Sequence, residues 1–313
     1  MDGLTELLRS VQLQATVFSR AECSAPWSVY TKPLPYGIFH AVVEGECVIS
    51  LQGEKTSIQL QQGDVVFIPH GHPHTMCDAL STHSVHIMDA IQQSRLNYQE
   101  EDEDVALLEI KGGGRHTSII CGSFRFEQSE VHPLLSLMPK ILHVPKAENP
   151  RSAWIETTLQ FIQKELEEGE PGGQVVITKL TEVLLVQALR AYTDLLQPGT
   201  GGWLEGLTDP RIGKSLGLIH KKPQHSWTAS TLAKLVGMSR SAFFSKFSTL
   251  VGEPPGQYLT RWRMHLAAKA LQKGHFTVSE VAFQVGYTSE GSFSKAFKRL
   301  LGTAPGEYRR QFR

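Results

Sequence analysis

Long apolar runs are missing from this 313-residue chain. No stretch reaches the roughly 18 consecutive apolar residues that a membrane-spanning helix needs. The first residues, MDGLTELLRSVQLQ, carry neither a basic n-region nor an apolar h-region, so the expectation is a cytoplasmic protein without a secretory leader. Cysteine is scarce: Cys23, Cys47, Cys77 and Cys121 are far apart and form no CxxC pair. That spacing does not make a disulfide framework, and in a reducing compartment the four are expected as thiols. Phosphate-cradling glycine loops, a Ser-His-Asp order and the HExxH pattern are also missing, which removes the commonest hydrolase and nucleotide-binding signatures.

Net charge is absent as well, but only in the sum. Residues 206–313 hold 17 Lys and Arg against 5 Asp and Glu, and the remaining 14 basic and 26 acidic residues precede them. A balance of +12 thus follows one of −12. Such asymmetry points to a polyanionic partner for the C-terminal third alone.

What is present divides into three stretches. Residues 1–135 hold short alternating or apolar runs, FHAVVEGECVISL and TSIQLQQGDVVFIP among them, punctuated by Gly, Pro and Asp. That pattern predicts short strands in a barrel or jelly roll. An acidic run, Glu100 to Asp104, reads as a solvated loop. In residues 136–205 the apolar period changes to 3.6 in SAWIETTLQFIQKELEE and VVITKLTEVLLVQALRAYTDLL, which predicts two helices. The second is apolar around much of its circumference, so it buries more than one face, either within the subunit or against a second copy in a homodimer. A Gly/Pro-rich linker, 197–210, leads into residues 206–313. The predicted class is α+β.

The last stretch contains an internal repeat. Leu232, Ala233, Val236 and Gly237 recur as Val281, Ala282, Val285 and Gly286. Phe243, Phe247, Gly252, Pro255, Gly256 and Tyr258 recur as Phe293, Phe297, Gly302, Pro305, Gly306 and Tyr308. Each copy reads helix–turn–helix. Thr228 and Thr277 are N-cap residues, the latter with Glu280 in a capping box. Gly237 and Gly286 end the first helix, and Ser239 and Thr288 or Ser289 start the next. The phenylalanines form an i, i+4 stripe expected in the core, while the opposite face is polar. It carries Arg240, Ser241, Phe244, Ser245 and Lys246 in the first copy, and Glu290, Gly291, Ser292, Ser294 and Lys295 in the second. A helix of this size fits the major groove of B-DNA. Two of them about 34 Å apart enter successive grooves on one side of the duplex. PGQYLTRWRMHLAAKALQKG between the copies predicts one continuous helix holding that spacing. Lys246, Arg261, Arg263, Lys298, Arg299 and Arg309 are the candidate phosphate contacts.

EVAFQVGYTSEGSFSKAFKRLLGTAPGEYRR, within the last hundred residues, resembles the C-terminal signature of the AraC/XylS transcription regulators. The resemblance implies that the helices near 239–251 and 289–301 read promoter DNA, and RNA polymerase is then a partner. Phe244, Ser245 and Gly291 offer little hydrogen-bonding reach, which shifts part of the specificity to DNA shape. GDVVFIPHGHPHTMCD is similar to the second cupin motif through Gly63, Pro69, Gly71 and His74, and implies a cupin-type sensor for an unidentified effector. The first cupin motif is incomplete: His40 is present, but Ile38 stands where the Glu belongs. The candidate cofactor is therefore a divalent transition metal on His40, His70, His72 and His74, with a hydrogen-bonded barrel rim as the alternative reading. Cys23, in a stretch expected to be irregular, and Cys121 are the candidate redox or electrophile sensors, the latter activated by Arg125 or His116. The competing function is a cupin metalloenzyme, isomerase or dioxygenase, fused to a DNA-binding tail.

Overall fold

A computed structural model describes residues 13–93, 106–126, 138–147, 149–195, 205–206 and 209–312. The acidic run 100–104 and most of the 197–210 linker lie outside them. The chain forms two compact units, one of Leu13–Arg125 with Pro139–Leu195, the other containing Leu196–Arg313.

Alternation of small apolar and polar residues makes the first unit a pair of sheets. In chain order its strands are β1 (Leu13–Ser24), β2 (Ser28–Tyr30), β3 (Gly37–Glu44), β4 (Glu46–Leu51), β5 (Ser57–Gln61), β6 (Val65–Ile68), β7 (His74–Cys77) and β8 (Val85–His86). A short helix, α1 (Ile87–Gln93), precedes β9 (Ala106–Ile110), β10 (His116–Phe126) and β11 (Leu142–Val144). One sheet runs β11-β6-β3-β10-β1-β9, the other β5-β4-β7-β2-β8. Position in the sheet explains the sequence of each strand. β3 lies in the middle of six, and its GIFHAV segment is buried throughout. β4 alternates, with Cys47, Ile49 and Leu51 inward, and the edge strand β5 buries only Leu60. The core between the sheets gathers Trp27, Ile49, Leu60, Val66 and Ile119.

Two helices complete this unit, α2 (Ser152–Glu168) and α3 (Gly173–Leu195). They pack on each other, and α3 also packs on β1 and β11. The segment expected as a separate linker region, 136–205, thus gives its helices to the sheet unit. On α3, Ile177, Leu184, Leu185, Ala188 and Leu189 are buried inside the subunit, while Val175, Val176 and Val183 stay exposed. Among the described residues no helix is long and apolar enough to cross a membrane.

The second unit is helical: α4 (Pro210–Lys221), α5 (Ala229–Leu235), α6 (Arg240–Val251), α7 (Pro255–Gln272), α8 (Val278–Gln284), α9 (Glu290–Leu301) and α10 (Pro305–Arg310). Capping boxes start α5 at Thr228 and α8 at Thr277, and Ser239 and Ser289 cap α6 and α9. The same hydrogen bond closes both turns, Met238 N–H to Ala233 O and Tyr287 N–H to Ala282 O, each 2.9 Å. Helix α7 is the spine, burying Tyr258, Trp262, Met264, Ala267, Ala268 and Leu271. The first pair leans on it through Phe247 against Tyr258, edge to face at 5.9 Å. In the second pair Phe297 meets Tyr308 in the same way at 5.4 Å. Phe243, Phe247, Phe293 and Phe297 are all fully buried.

The turn glycines, although equivalent by repeat, are not equivalent in their surroundings. Gly237 has φ +66° and open space around it. Gly286 has φ +87°, and a Cβ there would stand 2.5 Å from Gln224 O. Gly237→Ala is therefore expected to cost about 1 kcal/mol of left-handed strain. Gly286→Ala adds a backbone collision and is expected to cost about twice as much or more. Urea unfolding of the two variants measures the difference; equal losses would mean that the 223–225 segment moves aside freely.

Candidate nucleic-acid interface and sensor cavity

On α6, Arg240, Ser241, Phe244 and Ser245 are exposed, and on α9 so are Glu290, Gly291, Ser292 and Lys295, with Ser294 half-buried. The phenylalanine stripe forces this outcome. Once Phe243 and Phe247, or Phe293 and Phe297, turn inward, the residues a half-turn away face solvent. Phe244 is an aromatic ring left 47% exposed on this face. Two serines are partly engaged at the caps: Ser292 Oγ donates to Ser289 O at 3.0 Å, and Ser241 Oγ lies 3.4 Å from Ser239 Oγ.

The basic residues divide by what they touch. Lys298 and Arg299 are exposed in the last turn of α9. Lys246, at the edge of its face, pairs with Asp209 at 2.5 Å, the same carboxylate that caps α4. Arg261 is paired with Glu253 at 2.5 Å, both side chains less than one-fifth exposed. Arg263 donates from Nε to Pro223 O at 2.7 Å and from Nη2 to His225 O at 2.9 Å, and lies over the Tyr287 ring at 5.7 Å. Arg309 donates from Nη1 to Phe276 O at 3.0 Å. Arg261, Arg263 and Arg309 were expected at phosphates, yet each is held by an internal acceptor. Sequence spacing ranks basic residues alike; only their partners, 8 to 40 positions away, separate them.

Between the two sheets of the first unit lies a cavity of about 420 Å³. Its walls are chiefly apolar, with Phe18, Trp27, Val29, Met76, Leu108 and Ile119 among them, and Tyr36 and Arg125 also line it. His40 and His74 meet inside it, Nε2 to Nε2 at 2.9 Å. His40 Nδ1 lies 3.1 Å from Cys121 Sγ, and His74 Nδ1 3.0 Å from Thr31 Oγ1. Burial, reinforced for His40 by the neighbouring His74, holds both imidazoles below their ordinary pKa. They are neutral at pH 7.

Of the four candidate histidines, His40 and His74 converge and are hydrogen-bonded, while His70 and His72 stand apart from them. His74 starts β7 and turns inward, whereas His70 is exposed and His72 half-buried in the preceding turn, their rings edge to face at 5.6 Å. Among the described residues no carboxylate lines the cavity, and no group of three or more metal-ligating side chains occurs. The donor set does not fit a cupin metal. The cysteine expectation changes too. Cys23 lies within β1 at 1% exposure rather than in an irregular stretch. Burial pushes both the Cys23 and Cys121 thiols up to about 12, so neither is a thiolate at neutral pH. Cys121 has His40, not Arg125 or His116, as its hydrogen-bond neighbour.

Comparison with known proteins agrees with both halves of this geometry. A family described as cupin matches residues 2–194, and one described as helix-turn-helix domain matches residues 232–311. A putative AraC-like transcription regulator of Streptomyces antibioticus is 31% identical over 99% of each chain. The RCS-specific HTH-type transcriptional activator RclR of Escherichia coli is 26% identical over all of this chain and 99% of its own. The solved DNA-binding domain of AdpA, in complex with a target DNA, is 30% identical over 34% of this chain and 95% of that one, with a TM-score of 0.32. With a cupin-type half, a paired helix-turn-helix half and full-length relatives at this identity, the chain belongs to the AraC-like transcription regulators.

Proposed function

We propose that α6 and α9 enter successive major grooves of promoter DNA and that the cavity between the sheets binds the effector controlling this contact. Arg240, Ser241, Phe244 and Ser245 on one helix, and Glu290, Gly291, Ser292, Ser294 and Lys295 on the other, face base edges. Lys298 and Arg299 hold phosphates. The observation that carries this reading is the pair of solvent-facing helix faces mounted on one spine, α7, which at 1.5 Å per residue is about 27 Å long. Lys246 reaches a phosphate by exchanging Asp209 for DNA. RNA polymerase contact and homodimer formation belong to the same proposal, as does action in the cytoplasm.

Enzyme activity is disfavoured by the cavity chemistry. An open catalytic metal needs at least three protein ligands, while His40 and His74 are bonded to each other and to Cys121 and Thr31.

Fluorescence anisotropy on the DNA upstream of the protein's own gene tests the DNA-binding role of Lys298. Lys298→Ala is expected to weaken binding to specific and random duplexes alike and to lower the slope of log K against log salt by about 0.9. An unchanged slope removes Lys298 from the phosphate set.

A further inference from the structure

Helices α6 and α9 hold equivalent places in the repeat, and their inward faces match: Phe243 and Phe247 in one, Phe293 and Phe297 in the other, all fully buried. They differ at the next position, where Phe244 of the first copy faces Ser294 of the second. Both helices start from a serine cap and end at a left-handed glycine. The same fold thus forms without an aromatic ring at this place. Packing does not require Phe244.

Solvation opposes it. Phe243 turns inward to meet Phe247 at 5.5 Å, but Phe244 is left 47% exposed. Apart from buried Phe247, its neighbours one helical turn away are Arg240, Ser241 and Ser248, one charged and two small. The ring stands proud of them as a single apolar group. A docked protein covers a contiguous apolar area, which these neighbours do not extend. They belong instead to a stretch, 206–313, with 17 basic and 5 acidic side chains, a charge that complements the phosphate backbone. An apolar side chain carried into the major groove by that stretch meets one kind of apolar group there, the C5-methyl of a pyrimidine.

We propose that Phe244 reads the 5-methyl group of one pyrimidine, so that the half-site under α6 is selected for thymine and takes 5-methylcytosine in preference to cytosine. Binding is then sensitive to cytosine methylation as well as to sequence. The half-site under α9, with Ser294 at the equivalent place, carries no such requirement. This proposal rests on reading α6 as a major-groove helix and names what one of its residues recognises.

The probe for the test is the duplex that the full-length protein selects from a random-sequence library. Each thymine is replaced singly by deoxyuridine, which removes the methyl and keeps every hydrogen-bonding edge, and affinity is read by fluorescence anisotropy. At one thymine the loss is expected to be about fourfold, the value of one buried methyl group. Phe244→Ser, which installs the side chain of the second copy, should bind the thymine and deoxyuridine duplexes alike at that position. Its affinity for random duplex should be unchanged, which also shows that the variant is folded. Phe244→Leu should keep part of the discrimination. With cytosine placed at that position, methylation at C5 should raise the affinity of the natural protein about fourfold and that of Phe244→Ser not at all. If no thymine shows an effect that Phe244→Ser removes, the methyl assignment is overturned, while selective binding keeps α6 as a reader. An equal loss on selected and random duplexes overturns it too and makes Phe244 a folding residue. If the library yields no selected duplex, the reading of α6 falls with the proposal.

Discussion

Replacing Arg263 by alanine is expected to cost the protein about ten- to a hundredfold in affinity for a full two-half-site operator, with little change for a single half-site. Arg263 projects from the middle of α7 and grips the carbonyls of Pro223 and His225, in the segment that leads into the first helix-turn-helix unit. The same guanidinium lies over Tyr287, in the turn of the second unit, and Gly286 beside it packs directly on Gln224. One side chain therefore fastens the entrance of the first helix-turn-helix unit to the turn of the second. Its two charge-assisted bonds, lost together, would lower local stability by about 2–4 kcal/mol. The larger effect is on binding. Two tethered sites gain about a hundredfold or more over one only while their spacing is held, because the second contact forms at high effective concentration. A loosened spine spreads that concentration over wrong geometries. Anisotropy titrations on full and half operators separate the cases: equal losses on both would make Arg263 a folding residue without a spacing role. Arg263→Lys is not expected to rescue, since an ammonium cannot serve two carbonyls and a ring face together.

How much of this could be read from the sequence depends on how local each determinant is. The repeat was legible because its signals are short-range. Thr277 and Glu280 are three residues apart, Phe293 and Phe297 four, and α6 and α9 end at glycines, Gly252 and Gly302, that the chain itself announces. The outward faces followed from the same periodicity. The tasks of the arginines were not legible, because Arg263 meets its acceptors about forty positions back and Arg261 meets Glu253 across a bend. The sensor half shows the same limit. His70, His72 and His74 look like a set when written in a line, but only His74 enters a strand, and its partner His40 comes from another sheet. Cys23, in RAECSAPWSV, was expected in an irregular stretch, yet β1 runs through it to Ser24. Arg125 drew notice only as a neighbour for a thiol; its place at the rim of a cavity is a property of strand pairing, which no local pattern records.

Acid is expected to destabilise both units in a window where carboxylates stay ionised. In the helical unit His265 is 2% exposed, and burial first, then the charge of Lys269, depresses its pKa from 6.5 to about 4. As pH falls below 6.5 the unfolded chain takes up a proton that the folded chain refuses. Stability from this residue is therefore complete above 6.5 and is lost progressively down to about 4. Near pH 5 the deficit is about 2 kcal/mol, enough to lower the melting temperature of a hundred-residue unit by roughly 8–16 °C. His40 and His74 act with the same sign in the sheet unit, since burial disfavours a charge on either and a second charge across 2.9 Å is repelled by the first. Scanning calorimetry between about pH 7.5 and 5 should show both transitions moving down. His265→Leu should flatten the helical unit's dependence and leave that of the sheet unit in place, because the titrating groups sit in different cores. A melting profile that stays level across this range, or one that keeps its full slope in His265→Leu, would place the proton uptake elsewhere.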